Sequence, residues 1–401
     1  MTNSAEQKLP VFGGAEPLLH ALTALRPMIA SRAAEMDETG AMSADVFSAI
    51  RNTGILRAMH PAYLGGAEFT APDMLPLMEE LGCSDGSTAW SFMVASEVPA
   101  FFQRLSEQVQ RNIFRGGCDV LARAPVSPRP GARKVPGGLQ INGRFPFASG
   151  SFAADWFFIG AIVLEEDGSP AVTEDGRPDI RLCVIPGDEV EVLDNWQTIG
   201  LRSTESHDVH IKDVFVSADH TAPMLGSMPA DGPRIRQHSF YTSMGPMHMG
   251  VVLGIVKGML NDLVEIAQTK KPFINPNTII RDEPLFQYRV GEMNIRYAAS
   301  RSLAVSESEA IWHFDGGRTV PPPIVRARYR AVTAFIHDEC SKLGAEIFKL
   351  AGTAVLYNNS TLQRRFRDLR TACQHVMGNS EINVLYGALA LGVNLPDSDL
   401  L

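Results

Sequence analysis

INGRFPFASGSFAADWFFIGA, residues Ile141 to Ala161, is the stretch on which the fold turns. Its end runs on into WFFIGAIVL, Trp156 to Leu164, an aromatic and β-branched run of strand length. Its beginning is broken by Gly143, Pro146 and Gly150, the residue types that punctuate turns. The same texture continues outward. LQING before it, and RLCVIPG, VEVLDNW and VHIKDVFV after it, alternate or are β-branched, with Gly or Pro recurring between them. From about Asp119 to Pro223 the chain reads as short strands in a small barrel or sandwich.

Both flanks have another period. Toward the N-terminus, Leu18, Leu22, Leu25 and Ile29 recur at helical spacing, as do Val46, Ile50 and Ile55. Pro61 to Gly66 reads as a turn. Asp73 is placed to cap MLPLMEELG, which stops at Gly82, and Ser87 begins the apolar helix TAWSFMVASEVPAFF. Beyond the strands, the segments 246–268, 284–315, 323–350 and 368–391 carry apolar residues at helical spacing, with breaks at Lys270–Asp282, Asp315–Pro323 and Gly352–Thr361. Four long helices of similar length predict an antiparallel bundle. The fold class is α+β, mainly α: an N-terminal helical domain (1–118), a central β domain (119–230) and a C-terminal four-helix bundle (231–401).

The 401 residues are 45% apolar and 20% charged, as in an ordinary soluble protein of two or three compact units. A net charge of −9 with no basic run argues against nucleic acid as partner. The start, MTNSAEQKLPVFGG, lacks the pattern of a signal peptide, and the longest apolar stretches are too short or interrupted to span a bilayer. Five scattered cysteines without a C-x-x-C pair read as small, reduced, buried residues, which predicts a cytoplasmic protein. No G-x-G-x-x-G follows a strand, and Walker, H-E-x-x-H and G-x-S-x-G motifs are lacking. His207 and His210 in a strand-like stretch need not share a face, so no metal site is expected. An enzyme built this way needs a cofactor held by tertiary contacts.

Four segments in order resemble the acyl-CoA dehydrogenase superfamily. HPAYLGGAEFTAPDMLPLMEELGCSDGSTAW is similar to its P-x-x-x-G-G turn and following helices, and INGRFPFASGSFAADWFFIGA stands where dehydrogenases line the flavin. IGLRSTESHDVHIKDVFV and QRRFRDLRTACQHVMGNSEI are similar to its G-x-R-x-S strand pair and its R-x-x-R-D…G-T-S-E-I helix. Within the superfamily, FASG…ADW with RD-x-x-T-x-x-QH resembles the two-component, group D flavin monooxygenases, the hydroxyphenylacetate and steroid-phenol hydroxylase branch. Many dehydrogenases carry a proton-abstracting Glu where Met377 stands, and a thioether cannot take a proton. The resemblance therefore implies an oxygenase component. It would use reduced FMN or FAD and O2, through a C4a-hydroperoxide, to hydroxylate a phenolic, indolic or other small aromatic molecule. Its partners would be a separate NAD(P)H-dependent flavin reductase and further copies of itself in a homotetramer. The alternatives are an FAD-dependent acyl-CoA dehydrogenase and a non-catalytic binding protein on the same fold.

The resemblance also assigns residues. Ser149 is the hydroxyl expected at the flavin N5, with Ser151 as competitor, and a plain turn serine is the other reading. His375, expected on the last helix, faces oxygen and substrate, suited to donating a hydrogen bond or moving a proton. Trp90 and Phe147 are expected against the flavin ring, although Trp90 also reads as a core tryptophan. Arg202 with Thr204 and Ser206, or Lys270, Lys271 and Arg281 from a neighbouring subunit, are candidates for the flavin tail, against a solvated-surface reading for each. Glu97, Val98, Tyr241 and Met377 are placed on the substrate side. Val98 stands where the phenol-hydroxylating branch has a phenol-activating His, which fits a substrate electron-rich without ionising. The tetramer has its own signal: Met247, Met249, Val251, Val252, Leu253, Ile255 and Val256 make segment 246–268 apolar on more than one face.

Overall fold

The computed structural model describes residues 14–174, 176–224, 234–272 and 276–395. The signal-free start read from the sequence and the expected boundary at residue 230 lie outside them, apart from Gly14. Helices come first: α1 (Ala15–Thr39), α2 (Ala44–Arg51), α3 (Ala71–Ser84), α4 (Gly86–Phe101) and α5 (Glu107–Ile113). Strands follow: β1 (Ala122–Arg123), β2 (Arg129–Val135), β3 (Gly138–Phe145), β4 (Trp156–Leu164), β5 (Ile180–Pro186), β6 (Glu191–Val192), β7 (Val209–Ser217) and β8 (Thr221–Pro223). Then come α6 (Arg234–Gln237), α7 (Phe240–Thr269), α8 (Pro284–Trp312), α9 (Pro323–Ala351), α10 (Thr361–Ala372) and α11 (Ile382–Ala390).

The caps are local. Thr70, rather than Asp73, caps α3: its hydroxyl accepts from Asp73 N, and the Asp73 carboxylate accepts from Thr70 N at 2.8 Å, a capping box. Asp85 caps α4 by accepting from Thr88 N at 2.9 Å.

The strands form one eight-stranded sheet in the order β6-β7-β3-β2-β4-β5-β8, with β1 parallel to β4. WFFIGAIVL is apolar throughout because β4 is covered on both sides. Phe157, Ile159, Ala161 and Val163 enter the sheet's own core, while Phe158 faces the helices. β5 divides in the same way, Cys183 and Ile185 inward and Leu182 and Val184 toward the helices. In β7 the inward parity changes from Val209 and Ile211 to Val214 and Val216. A bulge opposite Ile141/Gly143, with Asp213 at φ 52°, inserts the extra residue.

One apolar core joins the N-terminal helices to the C-terminal ones. Its axis is α7, packed on α3 so closely that a Cβ on Gly254 would meet Glu79 O at 2.2 Å and one on Gly250 would meet Leu75 O at 2.5 Å. The apolar residues of α7 that suggested a tetramer, Met247 to Val256, are all buried within the single chain. The many-sided apolarity of this segment thus comes from its position at the centre of the monomer.

The expected fourth helix, 368–391, is two helices. α10 ends at Ala372, a 3-10 turn spans Val376–Gly378, and α11 starts at Ile382. Asn379 Oδ1 accepts from Glu381 N at 2.9 Å, a side-chain turn that competes with helix. Gly378 sits where a Cβ would lie 2.9 Å from Cys373 O, so the chain doubles back tightly here. His375 therefore stands in a break rather than on a helix, as the cap of the turn.

Candidate active site

The break, the face of α4 and the loops on either side of β7's start close around one cavity of about 510 Å3. α4 turns Trp90, Met93, Val94, Glu97, Val98 and Phe101 into its wall, the i, i+3, i+4, i+7 pattern of one helix face. The FASG loop brings Phe147 and Ser149, α7 brings Tyr241 and His248, and the break brings Gln374, His375 and Val376. A second, open and polar cleft of about 1200 Å3 shares Trp196, Thr198, Thr371 and Gln374 with the cavity and adds Arg202, Glu205 and Arg370.

The backbone at this junction is unusual. Phe147 (φ 65°), Leu201 (φ 51°) and Glu205 (φ 44°) all take left-handed conformations that cost energy for residues with a Cβ. Such strain persists only where surrounding structure enforces it and is concentrated at functional sites. Here Gly150 N donates to Thr204 O and Ala148 N to His207 O, both at 2.8 Å, tying the two loops together.

That tie aligns a string of hydroxyls. Trp90 Nε1 donates to Ser149 Oγ at 3.3 Å, and Ser206 Oγ lies 2.7 Å from Ser149 Oγ and 2.7 Å from Thr204 Oγ1. Thr204 Oγ1 in turn reaches Leu201 O at 2.8 Å. A hydroxyl has one proton, and Ser206 donates its own to Ser149. With Ser206 donating to Ser149, the Ser149 proton is left for the cavity. With Trp90 and Ser206 both donating to it, Ser149 offers that proton to an acceptor such as a ring nitrogen. Ser151 is not part of the string: it donates to Glu205 Oε2 at 2.5 Å and accepts from Met42 N at 2.8 Å.

Stacked imidazoles line the same cavity. The rings of His248 and His375 are 4.4 Å apart, and Trp90 meets each edge-on, at 5.3 and 5.5 Å. Burial holds His375 well below the ordinary histidine range, with His248, His337 and Arg330 adding to the shift. His248 is pushed down to about 3, again chiefly by burial. Both rings are neutral near pH 7. His375 Nδ1 accepts from Met377 N at 3.4 Å, which leaves its proton on Nε2 as a donor.

Other expected residues stand elsewhere. Met377 lies behind the wall, fully buried with its Sδ 3.0 Å from Arg330 Nη1, and so does not face a substrate. Thr204 is buried within the hydroxyl string rather than open to a flavin tail. Arg281 bonds Gln268 at 2.9 Å and Lys270 donates to Ala351 O, both away from their own chain's cavity and cleft, as residues expected to serve a neighbouring subunit can be. Arg202 does line the polar cleft. The sequence reading missed His248, Trp196, Gln374 and Arg370. For His248 there was a signal: one imidazole within the apolar run MGPMHMGVV.

Comparison with known proteins bears on this arrangement. Residues 21–114 match the model of the acyl-CoA dehydrogenase N-terminal domain, and residues 247–380 that of an acyl-CoA dehydrogenase C-terminal domain, together more than half of the chain. The chain belongs to the acyl-CoA dehydrogenase family. Among its curated relatives are two indole-3-acetate monooxygenases. That of Pseudomonas putida is 27% identical over 371 residues, covering 90% of both chains. That of Acinetobacter baumannii is 26% identical over 355 residues, covering 87% of this chain and 88% of the relative. The solved structure of XiaF from a Streptomyces species, in complex with FADH2 and glycerol, superposes with a TM-score of 0.87 at 21% identity, covering 96% of this chain and 98% of that one. The family's name thus describes the fold, while those two curated relatives, matched at nearly full length, are named monooxygenases.

Proposed function

We propose that this chain is the oxygenase component of a two-component flavin-dependent monooxygenase that hydroxylates a small aromatic or heteroaromatic molecule, indolic or phenolic. The observation that carries the reading is the wall of the cavity: the Ser149 hydroxyl held by Trp90 and Ser206, the neutral Nε2–H donor of His375, and no carboxylate contributed by the 373–381 break. The residues fit a flavin. An apolar chamber suits an aromatic ring system, the Ser149 hydroxyl has its proton free for a ring nitrogen, and the adjoining cleft offers Arg202 and Arg370 to an anionic tail. Reduced FMN or FAD bound here supplies the electrons that activate O2.

The chain's own residues then have distinct tasks. Trp90 and Ser206 fix the Ser149 hydroxyl, so that it meets the ring without reorganising. His375 donates from Nε2, fixed in that tautomer by Met377 N. Met93, Val94, Val98 and Phe101 exclude water from the chamber. We place the reduction of the flavin on a separate NAD(P)H-dependent reductase, in the cytoplasm. We retain the homotetramer, now supported by Leu285, Tyr288 and Ile295, exposed on one face of α8. The three-part division at 118 and 230 stays our reading of the chain's texture.

The test is to supply reduced FMN or FAD, 18O2 and indole to the purified chain. One labelled oxygen in the product is expected. Bleaching of bound oxidised FAD by an acyl-CoA, with no labelled product, would establish the dehydrogenase instead.

A further inference from the structure

One group that lines the cavity takes no part in that chemistry. Glu97 is buried in the apolar wall, two helical turns from Trp90, roughly 10 Å along α4. Its Oε2 has no hydrogen-bond partner. Its Oε1 stands 3.7 Å from His248 Nε2, and neither ring nitrogen of His248 has a partner. A carboxyl group in such a place is costly unless something satisfies it.

The contact is not an ion pair. Burial pushes the Glu97 carboxyl well above its ordinary value and His248 down to about 3, which in each case favours the neutral form. In its protonated form the carboxyl has one O–H and keeps one carbonyl-type oxygen to accept a hydrogen bond. Among the described residues lining the cavity there is no Lys or Arg, and Glu97 is the one acidic residue. A substrate carboxylate or ammonium would find no charged partner ready. A neutral donor would.

We propose that Glu97 selects the substrate by accepting a hydrogen bond from a neutral ring N–H, so that the cavity takes N-heteroaromatic molecules of indole type in preference to isosteres without that hydrogen. The inference rests on the oxygenase reading and sharpens its substrate class. Its geometry is simple. The two-ring molecule lies between Glu97 at one end and the Trp90–Ser149 end at the other, with the N–H turned away from the reacting edge. A buried acceptor built for such a donor rejects the analogue that lacks it, because the acceptor is then left unpaired.

The experiment measures binding, not turnover. Equilibrium dialysis of the full chain, held anaerobically with reduced FMN, compares indole with benzothiophene, its isostere without N–H, and with 1-methylindole. The wild type is expected to bind indole about tenfold more tightly than either. Glu97→Leu is expected to bring indole and benzothiophene within about twofold of one another, while Glu97→Gln, which keeps a carbonyl oxygen, retains a preference of about threefold. Equal binding by the wild type, or a preference that survives in Glu97→Leu, overturns the proposal. Should Glu97→Leu not fold, loss of the preference in Glu97→Met serves the same purpose. Failure of the oxygenase reading is seen separately, as absence of labelled product from the wild type with any of these ligands.

Discussion

The cavity and the cleft share a wall and differ in almost everything else. The cavity is apolar, and burial favours the neutral forms of its ionisable groups His248, His375 and Glu97. The cleft is open to solvent and lined by Asp194, Arg202, Glu205, His207 and Arg370. One loop, from Asn195 to Ser206, serves both, turning Leu201 and Ser206 to the cavity and Arg202 and Glu205 to the cleft. It does so by placing Leu201 and Glu205 in left-handed conformations. The difference separates two tasks. Oxygen transfer needs a dry site with fixed dipoles, and an anionic tail needs mobile, hydrated cations. Substitutions in the two regions should therefore change different quantities.

The largest effect is expected in the cavity. His375→Ala removes the Nε2–H donor and should lower product formation on the order of a hundredfold while flavin affinity holds. An equal loss in affinity, measured by titration with reduced FMN, would move His375 to the binding side of the comparison. Ser149→Ala comes next. It should preserve the fold and raise hydrogen peroxide released per flavin oxidised by about tenfold. An unchanged ratio would remove the hydroxyl string from the account. On the cleft side, Arg202→Ala or Arg370→Ala should weaken FMN binding by about fivefold, leave riboflavin binding as it was and leave coupling intact. A variant that weakens riboflavin equally has disturbed the cavity, and the division of tasks fails.

The smallest effect concerns stability. The folded-state value of Glu97 lies above the ordinary 4.5, so the native chain holds a proton that the unfolded chain releases. Stability is therefore lost as pH rises from 4.5 toward the raised value. Glu97→Gln carries no such cost. Its melting temperature should exceed the wild type's by a few degrees at about pH 8 and by less at about pH 5. The buried histidines act equally in both proteins and cancel in the difference. A gap that shrinks as pH rises would mean that Glu97 is ionised in the folded chain.

How legible was all this in the sequence? The order of helices, strands and helices was, because WFFIGAIVL has strand length and is flanked by turn residues on one side and long helical periods on the other. The cavity was legible in part: the motifs that carry Trp90, Phe147, Ser149 and His375 are short and local, and the structure gathers them at one wall. Periodicity failed where tertiary contacts decide. Residues 368–391 keep a helical pattern through the break, which is set by the Asn379 turn and the tight approach of Gly378. The all-round apolarity of α7 suggested a subunit interface, but a helix central to a monomer has the same composition. The pairing of Glu97 with His248 joins residues distant in sequence, and only the crossing of α4 and α7 shows it.

The central claim is that the cavity holds reduced flavin for reaction with oxygen. Stopped-flow mixing tests it most directly: reduced FMN and wild-type chain, prepared anaerobically, against oxygenated buffer. The account predicts a transient whose absorption differs from that of oxidised flavin, followed by a slower rise of the oxidised spectrum, with the transient shortened in Ser149→Ala. Reoxidation in a single step at the rate of free flavin, from a chain that instead oxidises an acyl thioester, would contradict it.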